Sequence, residues 1–380
     1  RMGGQVHVAQ CLGRGDKEQA HRYAKTAVQL SILLGLAFAA VSLLFTDPLV
    51  GFFKLEGVKT ILDAKIYMRI TCGLILFSFL NLTLTGLYTA QGDSKTPFVA
   101  NFIGLLINLL LDPLLILGVG PFPRIEVAGA AVATVSAQLV VMLVMMVGVF
   151  RSKKEENVLK GIRLFEPFSK EELGNICKIG GPTAIQGMVY CMISMVLTRM
   201  VAAFGAEAIA TQRVGGQIES VSWNTADGFA AALNAFVGQN YGAKKMDRVQ
   251  KGYRISFWTV AIWGALIMLA FIIFPGPIAG VFFHEEKAME IAISYLIIIG
   301  FSEAFMCVEL MTIGALSGLG KTKLCSVISI TATSMRIPLA MVLSRTSLGL
   351  DGIWWALMLT SVAKGIIFYL TFRYQMREKC

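Results

Sequence analysis

Apolar residues run through this chain in long blocks that are separated by short polar and basic turns. Four blocks hold about 20 residues or more without a charge, which is the length an α-helix needs to cross roughly 30 Å of hydrocarbon. They are residues 27–45, 127–150, 179–198 and 255–274. Apolar and polar positions do not alternate with a period of two, so the strands of a membrane barrel are a poor alternative. The pattern predicts transmembrane helices.

Six further blocks have helical length but carry one or more polar interruptions. They are residues 66–87, 97–119, 208–240, 291–317, 324–343 and 350–372. With the four blocks above, they predict an all-α integral membrane protein with ten complete helices. The opening residues align with the end of the block at 208–240 and are expected to form the stub of one more helix.

The chain contains two copies of one unit. VAQCLGRGDK at 8–17 recurs as VGQNYGAKKM at 237–246, and GLYTAQGDSKT from Gly86 matches GALSGLGKT from Gly314. A repeat this long is typical of duplicated transporter halves rather than of a solenoid. Projecting the second copy onto the first places one helix and most of another before Arg1, so the first copy is expected to lack them. The expected organisation is an N-terminal lobe at 1–150, a cytoplasmic linker at 151–177, a C-terminal lobe at 178–372 and a cytoplasmic tail at 373–380.

Composition agrees with a membrane protein. Hydrophobic residues make up 56% of the chain and charged residues 15%, which is more apolar surface than a soluble globule of 380 residues can bury. The lipid bilayer is therefore an expected partner of the whole chain.

Basic residues indicate the orientation in the membrane. One alternating set of loops holds 22 Lys and Arg, and the other set holds 6. The positive-inside rule places the first set, and both true termini, in the cytoplasm. This asymmetry accounts for the net charge of +10. No polar surface with interleaved aromatic residues accompanies it, so nucleic acid is not an expected partner.

The sequence lacks the motifs of metal, cofactor or covalent chemistry. Its three histidines are widely separated, and none of its seven cysteines falls in an external loop. No Walker loop, dinucleotide fingerprint or Ser-His-Asp set is present, so neither a cofactor nor a resident metal is expected. The protein is not expected to be an enzyme, and an ion gradient is the expected energy source. An integral membrane enzyme stays an alternative that would need a convergent histidine or nucleophile set.

A polar face on the helix predicted at 208–240 is the first candidate for a binding site. Glu219 and Asp227 lie about 16 and 28 Å into this helix, too deep to reach water except through a cavity. At about 100° per residue, Gln212, Trp223 and Asn234 fall on the same face. Two acids and a Trp suit a planar cation, through charge and cation–π attraction. Interhelical hydrogen bonds that hold a bundle together are the alternative.

Other deep charges form a second group of candidates. Glu309 is equivalent to Asn81 in the first copy, and both are candidates to contact an ion or substrate. A structural pair with Arg336 or Lys364 is the alternative for Glu309. Asp112 and Arg336 flank equivalent proline corners, where a break in the helix is expected. Asp112, Arg336 and Lys364 are thus candidates for pairs inside a lobe or for coupling.

A buried acid near the midplane can hold a proton or an organic cation, but not both. Ion binding from outside would then displace the organic cation, and rocking of two lobes would carry the site across. Glu219 is the first candidate for this acid. Glu303 lies about 120° from Glu309 around its helix, so the two are expected to face different neighbours.

Four motifs in order resemble the bacterial multidrug and toxic compound extrusion (MATE) transporters. They are VGQNYGAKKMDRV, GLYTAQGDSKTPF, GPFPRIEVAGAAVAT and RIPLAMVLSRTSLGLDGIWWA. The resemblance implies twelve helices in two pseudo-twofold-related lobes of six around a central cavity. It also implies a monomeric, multi-pass protein of the inner membrane, exporting organic cations and drugs in exchange for protons or sodium ions.

The resemblance implies a functional carboxylate in the first helix, which is expected to precede Arg1 and so has no match in this chain. The chain departs from the family at a further position. Several members place a Glu eight residues after the proline that matches Pro182, whereas this chain has Tyr190. A lipid-linked oligosaccharide flippase of the same superfamily is an alternative. It would be expected to line its cavity with several deep Arg or Lys for pyrophosphate, and here the deep stripe is acidic.

Overall fold

The computed structural model describes residues 1–52, 57–118, 124–152, 157–164, 166–167 and 169–377. Every regular element within these ranges is helical. The start of the motif from Gly120, parts of the expected linker and the last three residues of the expected tail lie outside the described residues. The predicted all-α class is confirmed.

Contacts divide the chain into two compact units. Apart from Met2, which groups with the second unit, the first comprises residues up to Cys177 and the second begins at Lys178. The helices of the first unit are α1 (Met2–Arg14), α2 (Lys17–Leu44), α3 (Thr46–Phe52), α4 (Val58–Gly73), α5 (Leu76–Ala90), α6 (Lys95–Leu117) and α7 (Glu126–Arg151). The finer ranges expected for the linker and tail stay predictions.

The boundary between the units falls inside α8 (Lys170–Ala202). The other helices of the second unit are α9 (Ala206–Gly242), α10 (Met246–Ile273), α11 (Pro275–Gly280), α12 (Glu286–Gly300), α13 (Glu303–Gly318), α14 (Thr322–Ser334), α15 (Arg336–Leu343) and α16 (Leu350–Arg377). Among the described residues, seven helical segments are long and apolar enough to span a membrane, or nine if each bent pair forms one span. The polar α9 is the tenth predicted helix, and it forms with 37 residues.

Two of the predicted helices each form as two shorter helices that meet at a bend. In the first unit α4 and α5 meet at 41°, and in the second α12 and α13 meet at 52°. These pairs occupy equivalent places in the two sequence copies. The expected break at the proline corner after Asp112 is wrong, because α6 continues through Pro113 to Leu117. In the second copy α14 ends before Met335, and α15 begins at Arg336.

The internal repeat extends to backbone geometry at the helix ends. Gly15 after α1 has φ 83°, and its equivalent Lys244 after α9 has φ 58°. The amides of the following residues, Asp16 and Lys245, bond to the carbonyls of Cys11 and Asn240 at 3.0 and 2.9 Å. Both helices therefore end in the same left-handed turn that satisfies their last carbonyls.

Glycines bring α13 close to its neighbours in the second unit. A Cβ on Gly314 would lie 2.3 Å from the carbonyl oxygen of Ala230 on α9. A Cβ on Gly365 of α16 would lie 2.6 Å from the carbonyl oxygen of Phe305 on α13. Such approaches need residues without side chains, as is common where membrane helices pack tightly. They bring the polar faces of α9, α13 and α16 together.

Candidate ion and substrate site

Tyr295 of α12 connects its helix to the acidic face of α9. Its hydroxyl donates a hydrogen bond to Oε1 of Glu219. The ring of Tyr295 is buried and meets Trp354 edge-on, with the ring centroids 4.8 Å apart. On the α9 side it lies against Gly215, where a Cβ would stand only 2.3 Å from the ring. Packing on both sides therefore fixes the position of the hydroxyl.

Glu303 lies immediately after the bend, in the first turn of α13. It is 1% exposed, and no Lys or Arg among the described residues forms an ion pair with its carboxylate, which has the Ser222 hydroxyl as its hydrogen-bonding neighbour. Its electrostatic neighbours are Glu219 and Ser222 of α9. Ser222 in turn lies 3.2 Å from the sulfur of Cys307, one turn further along α13. We call Glu219, Ser222, Tyr295 and Glu303 the acid cluster.

Glu309 forms a buried ion pair with Lys364 of α16. The ammonium nitrogen lies 2.8 Å from Oε1, and both side chains are less than 10% exposed. The structural alternative for Glu309 is therefore realised, with Lys364 rather than Arg336 as its partner. Glu303 and Glu309 face different helices, α9 and α16, as their separation around the helix predicts.

Arg336 interacts electrostatically with both the acid cluster and this ion pair. Its guanidinium donates to the hydroxyls of Thr360 at 3.1 Å and Ser361 at 2.9 Å, both on α16. Glu219 and Lys364 are each within its electrostatic range. Arg336 thus bonds to neutral groups and leaves its charge available to the surroundings.

The charges of this region do not balance when all are ionised. The acids are Glu219, Glu303 and Glu309. The bases are Arg336 and Lys364. Within the described part of the chain one acid is therefore left without a cation, and Glu303, which has no ion pair there, occupies the most enclosed position. A proton or one monovalent cation would neutralise the group.

The remaining candidates on α9 do not form one continuous site. Trp223 is 47% exposed, and Asp227 and Gln212 are half-buried. Asn234 is buried, and its amide donates to the carbonyl of Gly314 on α13 at 3.1 Å. Its contact is of the interhelical kind, whereas Glu219 belongs to the acid cluster. Their roles in binding stay predictions.

The two candidates in the first unit lie apart from charged partners among the described residues. The amide of Asn81 donates to the carbonyl of Gln138 on α7 at 2.8 Å. Asp112 is half-buried and makes no hydrogen bond or ion pair with any residue in the described ranges. The expected pair for Asp112 is therefore not found among them. Asn81 occupies the place of Glu309 but has no equivalent of its ion pair.

Besides Ser222 of α9, Tyr295 is the site residue missed at the level of sequence, where Glu303 was considered only for the direction it faces relative to Glu309. Tyr295 and Glu303 lie on the predicted helix at 291–317, on either side of the bend. The sequence signals that could have indicated the bend were Gly300, directly before it, and the polar residues Ser302 and Glu303 shortly after it. A wheel drawn for one straight helix cannot show which neighbour each face meets after a change of direction.

Comparison with known proteins supports the fold and identifies the family. The MatE family model matches residues 1–114 and 182–342. The probable multidrug resistance protein YoeA of Bacillus subtilis is 28% identical over 93% of this chain and 76% of its own length. The probable multidrug resistance protein NorM of Thermotoga maritima is 28% identical over 99% of this chain and 81% of its own.

A solved structure shows the same fold. The MOP superfamily transporter from Pyrococcus furiosus superposes with a TM-score of 0.91 at 22% identity, covering 100% of this chain and 83% of its own. The likeness agrees with the predicted twelve-helix fold. MATE proteins are transporters rather than enzymes, so the alternative of an integral membrane enzyme is excluded. With the family model matching most of its length, this multi-pass membrane protein belongs to the MatE family.

Proposed function

We propose that the chain exports organic cations or drugs in exchange for protons or sodium ions. The coupling ion binds at Glu219 and Glu303 of the acid cluster. The observation that carries the proposal is the charge imbalance in the second unit, where an enclosed carboxylate has no cationic partner among the described residues. Membership of the family and the relatives named for multidrug resistance support the class of substrate.

Electrostatics explains why such a site would bind a cation. An uncompensated charge buried in a protein or in hydrocarbon costs several kcal/mol. Protonation of one acid, or binding of one sodium ion between the carboxylates, removes this cost. The acid cluster therefore favours a single monovalent cation.

Substrate would compete with the ion for the same charge. Glu219 is only half-buried, and Trp223, one turn further along α9, exposes 47% of its surface. A carboxylate and an exposed indole on one helix face suit a planar organic cation. Ion binding would cancel the negative charge that attracts this cation. Exchange would follow if the ion and the drug each favour one of two conformations.

The orientation follows from the loop charges. The basic loops and both true termini lie in the cytoplasm of a bacterial cell, and the chain spans the inner membrane. The acid cluster would then bind protons or sodium ions from outside the cell and release them into the cytoplasm. The external ion gradient supplies the energy for export.

Ethidium transport by the full-length protein in proteoliposomes tests the proposal. A pH gradient and a sodium gradient are applied separately, so that each arm identifies one coupling ion. Glu219→Gln and Glu303→Gln should each reduce coupled transport at least tenfold. Glu207→Gln, in the first turn of the same α9 and in an exposed pair with Lys287, is the matched control and should transport normally.

Two results would contradict parts of the proposal. Full gradient-driven transport in both acid variants would remove the acid cluster from the mechanism. Absence of ethidium transport by folded wild type, together with movement of a lipid-linked oligosaccharide, would favour the flippase alternative.

A further inference from the structure

A basic cleft lies between the first turns of α10 and the last turns of α16. Its volume is about 650 Å³, and it is formed entirely within the second unit. Its cationic lining comprises Lys251, Arg254, Arg373 and Arg377. This cleft is separate from the acid cluster, which lies on α9, α12 and α13.

The cations of the cleft are available to a ligand. All four are exposed, and no carboxylate among the described residues forms an ion pair with any of them. Among the residues that the structure describes, Asp247 is the one acid in the lining. The described lining of the cleft thus carries a net charge of roughly +3 with all its groups ionised. Like charges this close repel one another, so an anion that bridges them would be stabilised.

The floor of the cleft is aromatic and rigid. Tyr253 of α10 stacks on Phe372 of α16 with centroids 3.7 Å apart, and both are buried. The hydroxyl of Tyr253 is 2.9 Å from that of Thr312 on α13, which fixes the ring. The guanidinium of Arg373 lies 5.9 Å from the centroid of the Tyr369 ring. Stacking and hydrogen bonding preorganise these groups without closing the cleft.

Polarity changes along the cleft in the direction of the membrane normal. Lys251 and Arg254 lie within the first three turns of α10, near the helix end that the loop charges place in the cytoplasm. Trp258 follows one turn after Arg254 and is 62% exposed. Cations at the level of the headgroups and an exposed indole toward the hydrocarbon match the two parts of a phospholipid.

We propose that this cleft binds an anionic phospholipid of the cytoplasmic leaflet. The phosphodiester lies among Lys251, Arg254, Arg373 and Arg377, and an acyl chain runs along Trp258. A soluble phosphate compound would satisfy the cations but would leave the exposed indole unused. A phospholipid would contact both the cations and the indole. This site is independent of the transport proposal and would exist whichever ion or drug the acid cluster takes.

Native mass spectrometry of the full-length protein in neutral detergent tests the site. Phosphatidylglycerol and phosphatidylcholine with identical acyl chains are added separately, and inorganic phosphate and glycerol phosphate are added as competitors. The wild type should bind phosphatidylglycerol at least tenfold more tightly than phosphatidylcholine. Each cation removed should weaken binding of phosphatidylglycerol about fivefold.

A charge-matched control separates a site from general attraction. The cleft variant carries Lys251→Gln, Arg254→Gln, Arg373→Gln and Arg377→Gln. The control carries Lys245→Gln, Arg248→Gln, Lys321→Gln and Lys323→Gln, which remove the same charge from the same side of the second unit outside the lining. The cleft variant should lose the preference for phosphatidylglycerol, and the control should keep it. If the variant with all four substitutions does not fold, the single variants Lys251→Gln and Arg254→Gln replace it. Each should weaken phosphatidylglycerol binding about fivefold.

Three results would overturn the proposal. Equal loss of preference in the control would show a diffuse charge effect. No preference for phosphatidylglycerol in the wild type would show that the cleft does not select anionic lipid. Displacement of the lipid by glycerol phosphate or inorganic phosphate at equal concentration would assign the cleft to a soluble ligand.

Discussion

The ammonium group of Lys364 lies 2.8 Å from a carboxylate oxygen of Glu309, with both side chains enclosed between α13 and α16. Removing one member leaves the other as an unpaired buried charge, which costs about 3–5 kcal/mol. Lys364→Met and Glu309→Met should therefore each destabilise the protein strongly. The double variant should recover most of the loss, because no charge is then left unpaired. Denaturant unfolding in detergent measures all three.

The exposed pair of Lys287 and Glu207 serves as the control for this cycle. Its side chains are 68% and 32% exposed, and the nitrogen and oxygen are 3.4 Å apart. Lys287→Met should leave stability unchanged, since solvent screens such a pair. Additive destabilisation in the double variant at Lys364 and Glu309 would show that the two charges do not depend on each other.

Gly215 determines where the Tyr295 hydroxyl meets Glu219. A Cβ at this position would stand 2.3 Å from the Tyr295 ring, so Gly215→Ala must displace the ring or the helix. Hydrogen bonds to charged groups contribute about 1.5–3 kcal/mol, so coupled transport should fall about tenfold or more. Tyr295→Phe should give a similar decrease, because it removes the same bond. Initial rates of ethidium transport measure both.

The neighbouring Gly216 is the matched control. A Cβ there would meet nothing within 4 Å, and alanine is the better helix former. Gly216→Ala should thus transport at the wild-type rate with equal or greater stability. Normal transport by Gly215→Ala would show that the position of Tyr295 does not matter for coupling.

Much of the fold can be predicted from the sequence because its signals are local and repeated. Uncharged blocks of spanning length give the helices directly. The left-handed turns at Gly15 and Lys244 lie in the segment where the two copies match most clearly. The bend between α12 and α13 is harder to predict, since no proline marks it, and its direction depends on the helices packed around it.

The candidate site was only partly predictable for the same reason. Glu219 is distinguished by its depth in a polar helix. Recognising Glu303 as its neighbour requires knowing that the start of α13 faces α9. Lys364 could be named as one of two possible partners of Glu309, but helix packing decides between it and Arg336. Contacts between helices distant in sequence are not encoded in the periodicity of either helix.

Glu166 links the segment after α7 to the start of α2. Its carboxylate accepts a hydrogen bond from Lys25 at 2.7 Å, and this bond and the lysine charge lower the pKa of Glu166. A carboxyl group with a lowered pKa contributes stability above its ordinary pKa of 4.5, and the contribution is lost as the pH falls through the lower folded value. The melting temperature of the wild type should thus exceed that of Glu166→Gln at pH 7. The difference should shrink below pH 4.5.

The variant should keep the segment in place, because the side chain of Gln29 still donates to the backbone carbonyls of Leu164 and Glu166. The comparison therefore isolates the charge of Glu166, which pairs with Lys25 at 2.7 Å and with Arg163 at 3.6 Å. A difference that grows as the pH falls would have the wrong sign for this carboxylate.

Substitutions at the two equivalent left-handed turns should change stability in opposite directions. Lys244 adopts φ 58°, a conformation that costs an L-residue roughly 1–2 kcal/mol and glycine almost nothing. Lys244→Gly should raise stability by about 1 kcal/mol after the entropy that glycine gains in the unfolded chain is counted. Gly15→Ala should lower stability by about 1 kcal/mol, although a Cβ there meets nothing within 4 Å. Denaturant midpoints measure both, and effects of the same sign at the two sites would show that backbone conformation does not control these turns.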